Sequence, residues 1–201
     1  MRKIYLLLVT LSLWSCVSFI PQKTASISQD IYTNLSDYQG NEYYQACMVL
    51  GELVLDDTML QNMRNQIANQ TSTDLCFYYL LAKKTGEPQD IQRYLQQFPS
   101  GKAQLALWKT HFEVGFPIRF VSPYIDLVRI HANSKQLALD KLISAIPYLD
   151  ASFSELLTDI LAEIYQYQPD WVLSRLQAKA ISAAQIELLI QHAAYHYGEQ
   201  Q

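Results

Sequence analysis

Ser152-Phe153-Ser154-Glu155-Leu156-Leu157-Thr158-Asp159-Ile160-Leu161-Ala162-Glu163-Ile164-Tyr165 is the stretch from which the fold class is read. Its apolar side chains fall at Phe153, Leu156, Leu157, Ile160, Leu161, Ile164 and Tyr165. This three-and-four spacing makes one face of a helix. Glu155, Asp159 and Glu163 take the other face. Ser152 with Glu155 has the form of a capping box, and Pro169 marks the stop. Ser182 with Gln185 opens a last helix in the same way, with Ile186, Leu189, Ile190, Ala193 and Tyr197 along one stripe.

Working outward, helical spacing continues over 41–55, 57–69, 73–85, 88–98, 102–113, 122–132, 135–146 and 169–178, with no sustained strand-like alternation. Starters are Asp56 or Asp57, Thr73, Pro88, and Ser122 followed by Pro123. Short connections make sequential helices antiparallel neighbours. The expectation is an all-α array or bundle of about nine to ten antiparallel helices, with an α-α superhelix as one form of it. At roughly 35 to 40 residues per helix pair, the body is similar in architecture to TPR-like and HEAT-like arrays. No aligned repeat consensus accompanies that similarity, and a compact irregular bundle is the alternative.

The start of the chain is of another kind. Arg2 and Lys3 precede an apolar run from Ile4 to Leu13, too short for a bilayer core that needs about 20 residues. Leu13-Trp14-Ser15-Cys16 follows, with Leu three before the cysteine and a small residue just before it. The segment resembles a bacterial lipoprotein signal, and departs from it in the bulk of Trp14. The resemblance implies cleavage before Cys16, acyl chains on its thiol and amine, and, with Val17 next instead of Asp, sorting to the outer membrane facing the periplasm. An ordinary secretory signal cut later, near Thr24-Ala25-Ser26, is the alternative. The organisation expected is a signal peptide over 1–15, lipidated Cys16 and a flexible Ser/Thr/Gln-rich tether over 16–40, and a single helical domain over 41–201.

Cleavage would remove two of fifteen basic residues, leaving thirteen against nineteen acidic ones and moving the formal charge from −4 to −6. An acidic body without a basic cluster argues against a nucleic-acid groove. With Cys16 assigned to lipid, Cys47 and Cys76 are an even pair in an oxidising compartment. They form either a disulfide or two buried thiols.

Chemical motifs are sparse. His192, His196 and Glu199 share a helix flank, but Ala193 stands where a zinc protease needs glutamate, so no metal site is assigned. His131 and His111 read as structural. Lys84-Thr85-Gly86 reads as a helix end, its K-T-G lacking the S-x-x-K of penicillin-binding enzymes. The least helical part of the body, 115–123, places Arg119 among Phe116 and Phe120; it reads first as a crossover whose apolar side chains plug into the core with Arg119 exposed, and second as a candidate binding segment for a peptide terminus or an acidic partner. The adjacent pairs Tyr43-Tyr44 and Tyr78-Tyr79 are each expected to turn one ring inward and one outward. No cofactor is implied. The function expected is a lipid-anchored interaction module, a scaffold or an immunity-type lipoprotein, holding an envelope protein partner. The alternatives are a cell-wall hydrolase using carboxylates such as Glu155, Glu163 or Glu187, and a carrier of an apolar ligand.

Overall fold

A computed structural model of the chain describes residues 26–69, 74–113, 122–149 and 151–197. The protein is all-α, with no strand among the described residues. Helix α1 is described over 26–33 and is followed by a 3-10 turn, Leu35–Asp37. Then come α2 (Gly40–Glu52), α3 (Asp57–Ala68), α4 (Leu75–Thr85), α5 (Pro88–Gln97), α6 (Lys102–Glu113), α7 (Pro123–Ala132) and α8 (Gln136–Ile143). A second 3-10 turn, Ile146–Tyr148, leads to α9 (Ala151–Tyr167), α10 (Pro169–Ala178) and α11 (Ala183–Tyr197). The backbone gathers into two compact units that divide between Thr85 and Gly86, where the sequence suggests one domain over 41–201.

In the first unit α4 is the central helix, and every residue from Cys76 to Ala82 is buried as it packs on α2 and α3. A helix covered on several sides has no outer face for an aromatic ring. Tyr78 and Tyr79 are therefore both buried, which corrects the expectation of one inward and one outward ring. The approach to α2 is close: a Cβ on Gly51 would stand 2.7 Å from Tyr79 Oη and 3.0 Å from its Cε1. Cys47 on α2 and Cys76 on α4 are joined by a disulfide, with Cα atoms 5.9 Å apart. At its C-terminus α4 sends Lys83 Nζ to Glu52 Oε1 at 2.5 Å and Lys84 Nζ to the Gly51 carbonyl at 2.6 Å, so its last turn also caps α2. Gly86 at φ +64° ends the helix, in line with Lys84-Thr85-Gly86 as a helix end.

The tether expected over 16–40 is helical from residue 26. Ser28 and Leu35 are buried, and the Tyr32 ring lies 6.4 Å from that of Phe77 on α4. Local polarity hid this: within α1 Ser28 is buried, Ile31 and Tyr32 are half-buried and Ile27 is exposed, and the contact of Tyr32 with Phe77 comes from a helix distant in sequence.

In the second unit α9, the stretch quoted above, is the core: Phe153, Leu157, Ile160, Leu161, Ala162 and Ile164 are all buried, with α10 and α11 packed on it. Phe153 stacks on Trp108 of α6 at 5.7 Å. Helix α9 begins at Ala151, one residue ahead of the expected cap. At the start of α11 Ser182 and Gln185 meet as expected, the Gln185 N–H donating to Ser182 Oγ at 3.3 Å and the Ser182 hydroxyl donating to Gln185 Oε1 at 2.9 Å. Arg175 on α10 makes two bonds to Asp140 on α8, at 2.8 and 2.7 Å, and Arg129 on α7 makes two to Glu163 on α9, at 2.7 and 2.9 Å.

Candidate functional site

Asp56 starts α3 by accepting the Met59 N–H at 2.8 Å, and Met59 and Met63 then point one face of the helix into the first unit's core. With that face fixed, Asn62, Asn65, Gln66 and Asn69 fall together on the flank, spaced i, i+3, i+4, i+7. Opposite them stand Gln29 and Thr33 of α1 and Ser36 of the 3-10 turn. Tyr32, Leu35, Tyr43 and Phe77 complete the lining between these walls, with Asp74 at the start of α4. The result is a cleft of about 630 Å³, within the size range of ligand pockets.

Among the described residues the cleft carries little charge: Asp74 is the one carboxylate in its lining, and no lysine or arginine lines it. Asp74 Oδ1 accepts the Cys76 N–H at 2.8 Å, so Asp74 caps α4; Thr73, the starter expected from sequence, lies outside the described residues. Burial, then the charge of Asp74 and a hydrogen bond to it, pushes the Tyr43 hydroxyl far above the ordinary tyrosine range. Tyr32 is also raised, by burial and then by Asp56. Both phenols therefore stay neutral at physiological pH. Tyr32 Oη is buried and finds no hydrogen-bond partner among the described residues. Two amides are positioned by neighbours: Gln29 Nε2 donates to Thr33 Oγ1, and Gln61 Nε2 to Asn65 Oδ1, both at 3.1 Å. A site of amides, hydroxyls and phenols with one engaged carboxylate presents hydrogen-bond donors and acceptors side by side.

No family model, no curated protein and no solved structure matches this chain. Its chemistry is therefore read from its own residues.

Cys16, and the segment with Phe116, Arg119 and Phe120, lie outside the described residues. His192 pairs with Asp159 across α11 and α9, and among the described residues no group of three metal-ligating side chains forms. His131 is half-buried at the end of α7, and burial, then Lys135, lowers its pKa. Of the carboxylates suggested for hydrolysis, Glu163 is bonded to Arg129, Glu187 accepts from Gln191 at 3.3 Å, and Glu155 is exposed. None lines the cleft. Tyr43 does line it, while its neighbour Tyr44 is buried. Sequence reasoning missed the cleft as a whole. The signal that was there to find is the run of amides at helical spacing on α3.

Proposed function

We propose that this chain is a lipid-anchored protein of the bacterial cell envelope, cleaved before Cys16 and held at the outer membrane facing the periplasm, whose helical body is an interaction module. Its role in this reading is to hold an envelope protein partner. The observation that carries the module reading is the cleft of the first unit, large, neutral and lined by carboxamides. Support for the address comes from Leu13-Trp14-Ser15-Cys16 and from the Cys47–Cys76 disulfide, which suits an oxidising compartment. No helix among the described residues is long and apolar enough to cross a membrane.

The alternatives find less support. Glycoside hydrolysis uses two converging carboxylates, and among the described residues the cleft is lined by one. A carrier of apolar ligands needs a roomy apolar cavity; the apolar hollow between α9, α10 and α11, lined by Leu157, Leu161 and Leu189, measures about 100 Å³.

The test is crosslinking in intact cells, affinity capture and mass spectrometry, comparing the native chain with Cys16→Ser. The expected result is one envelope protein recovered in stoichiometric amount and depleted in the unanchored variant. No enriched protein in either sample would overturn the module reading. Equal recovery in both would overturn the role of the anchor.

A further inference from the structure

We propose that the cleft between α1 and α3 takes an extended, uncharged stretch of polypeptide and reads it through its backbone; this rests on the module reading above and names what the module holds. Asn62, Asn65, Gln66 and Asn69 form one stripe along α3, about 10 Å long at ~1.5 Å per residue. An extended chain advances about 3.3 Å per residue, so the stripe runs beside about three consecutive peptide groups. A carboxamide carries an acceptor oxygen and donor N–H groups, the same complement as a peptide unit. A row of them pairs with the N–H and C=O groups of a chain laid alongside, whatever its side chains.

The charge of the segment follows from the lining. Among the described residues no lysine or arginine faces the cleft, and Asp74 is engaged by the Cys76 N–H and by Tyr43. A charged occupant would lose water without gaining a counter-charge. Of the aromatic residues in the lining, Phe77 offers no open face for a sugar ring to cover, and the oligosaccharide arm of the experiment below tests the half-exposed rings of Tyr32 and Tyr43. Phe77 is 8% exposed and lies against Tyr32, so its ring belongs to the floor of the cleft.

The experiment exposes the full mature chain, with its anchor in detergent, to a random library of short peptides without Asp, Glu, Lys, Arg or His. Selected peptides are then compared with forms N-methylated at single amides and with alanine-scanned forms. Methylation at central positions is expected to weaken binding about tenfold, since it removes a backbone donor. Alanine replacements are expected to change affinity by less than about threefold. The double variant Asn62→Ala, Asn65→Ala is expected to bind about tenfold more weakly with unchanged circular dichroism and melting, because both residues are exposed and alanine favours helix. The inference is overturned if no peptide is selected, if methylated forms bind as well as the parent, or if the double variant binds normally. It is also overturned if an oligosaccharide of N-acetylglucosamine binds and the double variant abolishes that binding. A partner captured in cells equally by the native chain and the double variant would remove this inference and leave the module reading. Peptides bound in vitro without any partner in cells would do the reverse.

Discussion

In the unit that ends at Thr85, two helices are joined by a covalent bond, Cys47 to Cys76, and the remaining surface opens into a neutral cleft. In the unit that begins at Gly86, helices are registered by ion pairs, Arg129 with Glu163 and Arg175 with Asp140, around the continuous apolar face of α9. The contrast is one of resources. A small set of short helices that leaves one face open as a cleft buries less apolar surface, and a crosslink supplies what the core lacks. A larger set closed around a 17-residue helix buries enough to hold itself, and its charged pairs fix how neighbours align.

The comparison is tested most severely by removing the disulfide. Replacing Cys47 and Cys76 with alanine should lower the stability of the first unit by about 3–4 kcal/mol for a sequence separation of 29. Hydrogen exchange should quicken on α2 and α4 and stay unchanged on α9. Equal quickening in both units would show that 41–201 unfolds as one domain, as its sequence suggests.

A smaller effect is expected from Gly51→Ala, which drives a methyl group against the buried ring of Tyr79. The cost should be about 1–3 kcal/mol, again confined to the first unit, measured as a fall in melting temperature. Arg129→Ala should cost the second unit about 1 kcal/mol, because Arg129 holds Glu163 through Nη1 and Asp126 through Nε but the group is partly open to solvent. Exchange should then rise at the α7–α9 contact and nowhere in the first unit.

The subtlest contrast is in pH. Tyr43 and Tyr32 hold their protons more tightly when folded, so their contribution is complete below the unfolded tyrosine pKa and is lost as pH rises above about 10. Lys83, which burial lowers but the bond to Glu52 lifts further, adds to that loss; Lys84, lowered by burial and by Lys83, opposes it. The large shift of Tyr43 sets the sign for the first unit. In the second unit His131 has a lowered pKa, so stability is full above about pH 6.5 and falls as the medium is acidified through it. Exchange measured against pH should weaken the first unit in alkali and the second in mild acid; the same dependence in both would erase the distinction.

Much of the fold was legible because helix ends announce themselves. Helices α6 and α10 occupy 102–113 and 169–178 as their spacing suggests, and Pro88, Pro123 and Pro169 stand at the first helical position. The cleft was legible only in part. The amides of α3 carry helical spacing, yet a polar stripe on a helix is by default a solvated face. One wall belongs to α1, whose Ser- and Gln-rich sequence reads as coil. Only the packing of Tyr32 and Leu35 onto the first unit makes that wall.

By itself the sequence determined the helical class, the positions of most helix boundaries and the amphipathic core of α9, because apolar periodicity and caps are local properties of the chain. It also carries the expectation of an anchor at Cys16. The tertiary structure decided the pairing of Cys47 with Cys76, the burial of both Tyr78 and Tyr79, the ordering of α1 and the existence of the cleft. Each of these depends on which helices meet across long separations, and helix propensity carries no information about that meeting.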